Sequence, residues 1–289
     1  MFKNIIIRKY LLLFIGFFIL KATSLQAQNR HTLQKVFDTI AECRDDSTKM
    51  SLNQKLYEEI GVLLQAPNSF DDPFLELRNL GKIYSDDRKV RIYTWSFPLE
   101  DKSYQYGGYI QYKKKNETVT TPLLFKSASV PKETDEISVK NWYGALYYKV
   151  FHVKKRRDNY YIAFGWSGFD AATDFKVIEP LDFDKQGNLS SFGKEVFNQS
   201  ASTDNVKKQT TRSSKKSPYR IVLEYNSEGK VALDYDYANE KIIFDHLSPI
   251  EPTYTGIRAY YGPDFTYDAY ELKKGIWYFE ENIDARNQQ

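Results

Sequence analysis

The sequence predicts a mainly β protein, an antiparallel meander sheet or open barrel preceded by N-terminal α-helices, and three observations lead there. Apolar residues recur at helical spacing up to about Gln65 and then alternate with polar ones for the rest of the chain. Tyr and Phe are abundant, 23 and 19 of 289 residues, which suits sheets with a wet face, where a ring packs and a hydroxyl stays hydrated. Turn-forming residues punctuate the alternating runs at short intervals.

Residues 1–27 have the three-part pattern of a secretory leader. Lys3, Arg8 and Lys9 are the charged part, Leu11 to Leu20 the apolar part, and Ala27 a small residue suited to cleavage before Gln28. The apolar run is shorter than the roughly 20 residues a membrane-spanning helix needs. Four of the 41 basic residues and none of the 38 acidic ones fall in this leader. The remaining 262 residues therefore carry 37 basic against 38 acidic groups, a balance that argues against steering toward nucleic acid. No later run is apolar enough to span a membrane as a helix. The expectation is an exported protein of the periplasm or outer surface. Cys43 is the sole cysteine and excludes an internal disulfide.

Helices are expected over 32–44, with Leu33, Val36, Phe37 and Ile40 on one face, and over 51–65, with Leu52, Leu56, Ile60, Leu63 and Leu64. The segment 28–80 is expected to pack on a β domain spanning 81–289. A first meander reads as Val90 to Phe97, Tyr104 to Tyr112 and Thr118 to Phe125. A second reads as Trp142 to Val153, Tyr160 to Trp166 and Phe175 to Phe183. A third reads as Tyr219 to Tyr225, Val231 to Tyr235 and Ile242 to Leu247, with Arg220 and Glu224 on its wet face. A last hairpin pairs Thr266 to Leu272 with Ile276 to Glu281. The recurrence of meanders makes a propeller-like arrangement the alternative. The polar stretch 198–218 reads as a long mobile loop.

No catalytic motif stands out. Gly165-Trp166-Ser167-Gly168 lacks the second glycine and the strand-to-helix context of a nucleophile elbow. Asp182 to Gly187 starts like a calcium loop but has Gly193 where the twelfth-position acid belongs, so a hairpin turn is expected. The basic runs at 113–115, 154–157 and 207–216 fall at turns or in the long loop. His152, at a strand end beside such a turn, reads as solvated. Asp245 and His246 are adjacent, and with Asp264 they make the one candidate metal set; Asp268 could join if the chain folds back there. Neighbouring strand residues point to opposite faces, which works against that set. Trp166, Phe169, Tyr260, Tyr261 and Asp264, with Phe265 and Tyr267, lie in or beside Gly/Asp-rich loops and are the candidate ligand-binding residues.

Trp142 to Tyr148, Tyr160 to Trp166, Phe244 to Leu247 and Tyr260 to Asp264 together resemble a group of uncharacterised exported proteins of Bacteroidota. The resemblance spans most of the chain after the leader and implies export, with no activity and no site residues to carry over. Where those proteins have a Gly-Trp-Asp-Gly-Asn turn, this chain has Gly165-Trp166-Ser167-Gly168-Phe169, which lacks the acid and amide a metal would use. The functional expectation is an envelope binding or interaction protein whose partner is a glycan, a peptide or another envelope protein. A metal-assisted hydrolase and a structural envelope component are the alternatives. No motif indicates a cofactor, and the balance leans away from an enzyme.

Overall fold

The computed structural model describes residues 29–115, 117–127, 129–154, 159–199 and 217–284. The leader at 1–27 and the body of the 198–218 loop lie outside the described residues. Among the described residues no helix is long and apolar enough to cross a membrane. The chain divides after Leu80 into two compact units.

The first unit holds α1 (29–42) and α2 (Asp46–Leu64). The Asp45 carboxylate caps α2 by accepting from the Thr48 backbone N–H at 2.7 Å. The sequence periodicity placed that start later, because a cap carries no apolar signal. Leu33, Phe37, Ile40, Leu56, Ile60 and Leu64 are buried, as their spacing requires. Gln34 fastens α1 to the end of the unit: its amide nitrogen donates to Asn79 and its oxygen accepts from the Arg78 N–H, both at 2.8 Å.

The second unit is mainly antiparallel β, with no closed barrel. Its meanders are separate sheets, the one feature the propeller-like alternative shares. The first sheet runs β1 (Gly81–Tyr84), β2 (Val90–Pro98), β3 (Tyr104–Lys114) and β4 (Glu117–Leu123) in order. The second contains β5 (Leu146–Val153), β6 (Tyr160–Gly168), β7 (Thr173–Phe183) and β8 (Leu189–Phe192). The third contains the two-residue β9 (Phe197–Asn198), β11 (Leu233–Asp236), β12 (Lys241–Pro249), β13 (Tyr261–Lys273) and β14 (Ile276–Ile283).

The expected third meander is corrected. Its first strand, β10 (Ile221–Asn226), pairs with β7 in the second sheet, while β11 and β12 belong to the third. The turn after Asn226 is real, with Gly229 N–H donating to Asn226 O at 2.8 Å, but the chain leaves it for another sheet. The second sheet is consequently apolar on both faces. One core gathers Val90, Ile110, Trp142, Ala163, Val177 and Leu181 between the first and second sheets. The other gathers Phe151, Ile162, Phe164, Ile178, Ile242 and Trp277 between the second and third. Arg220, expected on a wet face, is therefore fully buried and pairs with the equally buried Glu179.

Candidate functional site

The loops expected to bind converge at one end of the second unit. The turn joining β6 to β7 meets the turn after β10, where Ser227 N–H donates to Ala172 O at 2.9 Å. Asn226 then reaches the excursion between β12 and β13 through its side-chain amide, which donates to Ala259 O at 2.6 Å.

That excursion, residues 250–260, carries two short 3-10 turns, Pro252–Tyr254 and Arg258–Tyr260. Tyr260 stacks on Tyr254 at 4.1 Å between ring centroids and stays exposed. Tyr261 does not share that role. It is buried, accepts from the Gly256 N–H at 3.0 Å and lies under the Arg258 guanidinium. Phe169 is likewise no free aromatic, since it packs on the core between the first two sheets. These are rings plugging loop corners, where a turn would otherwise leave its backbone exposed.

Beyond the excursion, β13 bulges. Asp245 pairs with Tyr267 and Leu247 with Pro263, so His246 alone opposes Asp264, Phe265 and Thr266. Asp264 closes the bulge by accepting from the Thr266 N–H and hydroxyl at 3.1 and 2.7 Å. Phe265 sits at φ 70°, a left-handed conformation rare for a bulky residue, and is 93% exposed. Ile250, Ile257, Tyr260 and Tyr267 are exposed nearby in sequence.

The bulge turns His246 toward two acids. Its Nδ1 lies 2.8 Å from Asp268 and its Nε2 3.8 Å from Asp264. The other oxygen of Asp268 accepts from the Asn282 N–H in β14, so this buried carboxylate ties β12 to β14. Burial pulls the imidazole down, but Asp268, then Asp264 and Glu281, carry it above the ordinary histidine value. Asp245 does not join. Its carboxylate accepts from the Ala232 N–H at 2.6 Å, which corrects the expected set of Asp245, His246 and Asp264. Among the described residues no group of three or more His, Cys, Asp or Glu is arranged to hold a metal ion. The bulge explains why Asp264 and Asp268, and not the sequence neighbour, face the histidine.

Trp166 leads to residues that sequence reasoning missed. Its indole N–H donates to Asp174 at 3.2 Å. Burial pushes the Asp174 carboxyl up to about 6 against that hydrogen bond, and the charge of Asp170 adds to the rise. Lys176, directly across from Trp166 in the β6–β7 register, is half-buried and lies 5.2 Å from the centre of the Tyr148 ring. Burial lowers its pKa, opposed by the charge of Asp245. The alternation of Asp174, Lys176 and Ile178 with Phe175 and Val177 could have marked this face. In the register Asp174 and Lys176 stand opposite Tyr225 and Leu223 of β10, on the apolar face of that strand that the third sheet covers.

Two other sequence candidates resolve as structure. Ser167 is buried and its hydroxyl donates to Tyr106 at 3.2 Å. Asp184 accepts from the N–H groups of Gln186 and Asn188, making the loop after Asp182 a hairpin turn. His152 is not solvated as expected. Its Nδ1 is buried 3.7 Å from Asp87, and burial lowers its pKa against the charges of Asp87 and Asp86.

Compared with known protein families, curated proteins and solved structures, the chain matches none.

Proposed function

We propose that the chain is an exported envelope protein that binds a partner through the arm formed by residues 250–267. The observation that carries this reading is the placement of exposed apolar side chains. Ile250, Ile257, Tyr260, Phe265 and Tyr267 all fall in this arm, and Phe265 is held outward by a backbone conformation that disfavours it. Exposed apolar groups concentrated on one segment mark interaction surfaces, and local strain persists where the surroundings enforce it. The export address rests on the leader pattern at 1–27.

The metal-assisted hydrolase gains less support, since Asp245 is committed to the Ala232 N–H. The test is co-purification from native envelope with the wild-type chain and with a Phe265→Ser, Ile257→Ser variant. A species retained by the first and lost by the second supports the arm. Identical retention by both would remove it.

A further inference from the structure

We propose that Trp166, Asp174 and Lys176 form a subsite for an acidic saccharide unit, a uronate, separate from the arm. The three come from adjoining strands of the second sheet. Trp166 and Lys176 are paired across β6 and β7, and Asp174 precedes Lys176 by two residues, so all three side chains share one face. Deeper on that face Phe164 and Ile178 are buried in the core between the sheets; at its end Trp166 packs only partly on that core, edge-on to Tyr104, and Asp174 and Lys176 are half-buried.

The polar groups there are incompletely used. Among the described residues Lys176 makes no hydrogen bond and no ion pair; its ammonium meets only the ring of Tyr148 and the more distant charge of Asp245. Asp174 takes one hydrogen bond, from Trp166. A half-buried ammonium and a half-buried carboxylate, each short of partners, carry a desolvation cost that a complementary ligand would offset.

The chemistry of that ligand follows from the three groups. Lys176 offers donors to an anion. Asp174 offers acceptors to hydroxyls, and its indole partner fixes the carboxylate at the edge of a ring. The accessible part of Trp166 offers an apolar platform for the C–H face of a sugar. Asp174 and Lys176 stand roughly 7 Å apart along the strand, a spacing that a hexose ring carrying a carboxylate on one side and hydroxyls on the other can bridge.

Tryptophan fluorescence provides the test, because Trp95, Trp142 and Trp277 are buried and Trp166 is the one accessible indole of the four. The full chain would be titrated with sodium glucuronate, glucose and alanylalanine at pH 7.5. A saturable change with glucuronate, at least about tenfold weaker with glucose and absent with the dipeptide, is expected. Lys176→Met should weaken it about tenfold, the loss of one charge-assisted hydrogen bond. Phe265→Ser should leave it unchanged, which separates this subsite from the arm. No saturable response to glucuronate, equal response to glucose, preference for the dipeptide, or an unaltered Lys176→Met titration would each overturn the proposal.

Discussion

Arg220 turns its guanidinium wholly inward. Nε donates to both oxygens of Glu179 at 3.0 and 3.2 Å, Nη1 to the carbonyls of Lys132 and Asp135, and Nη2 to that of Phe192 at 3.2 Å. Burial pushes the Glu179 carboxyl up, while Arg220 and the Tyr143 hydroxyl draw it back. Removing one partner leaves the other charged and unpaired in the core. Arg220→Met should therefore cost about 3–5 kcal/mol, read as a lower urea midpoint, and Glu179→Met with Arg220→Met should recover part of it. A single variant as stable as wild type would mean the pair is not buried as described. His246 gives a prediction of opposite character, in pH. Its folded pKa is raised, so its contribution is fully present below the unfolded value of about 6.5 and is lost as pH climbs through the folded one. The wild type should lose stability over that window relative to His246→Gln. Parallel stability curves for the two proteins would contradict the Asp268–His246–Asp264 arrangement.

At the scale of the element, the bulge of β13 sets what the arm presents. A left-handed Phe costs roughly 1–2 kcal/mol, and glycine would relieve this while losing roughly 0.5–1 kcal/mol through its freer unfolded chain. Phe265→Gly should thus leave the denaturation midpoint unchanged or raised, yet remove partner retention by the arm. A marked loss of stability would show that the ring is structural. Strands were legible where alternation was uninterrupted: β2, β3, β6 and β7 begin and end near the expected residues. Pairing was less so. Tyr219 to Tyr235 reads locally as a hairpin because the alternation specifies strands and Asn226 to Lys230 a turn, but neither specifies the partner. The His246 cluster was legible only as a condition, that the chain fold back at Asp268. Meeting that condition takes two bulges, one in β13 opposite His246 and one in β14 opposite Asp268, and an extra residue in a strand leaves no periodic trace.

For the whole molecule, the stacking of sheets decides which polar residues are expensive to bury. A sheet covered on one face keeps its charges in water, and the alternation of Arg220, Val222 and Glu224 reads that way from sequence alone. The second sheet has apolar cores on both faces, so Val222 packs inward, Arg220 needs Glu179, and Asp174 with Lys176 are left half-buried at its end. Single-strand patterns cannot announce this, because the covering layers are contributed by other sheets of the chain. The same layering bears on independence. Every member of both cores lies after Gly81, as do all four tryptophans. Neither core draws on α1 or α2. Residues 81–289 expressed alone should therefore unfold in urea as one cooperative transition, with tryptophan fluorescence and far-UV circular dichroism giving coincident midpoints, since the two cores share the second sheet and neither can be lost while it stays folded. Two separated transitions would mean that the sheets are not coupled through that shared layer. A fragment with strand-rich circular dichroism but solvent-exposed tryptophans would mean that α1 and α2 are needed to close the cores.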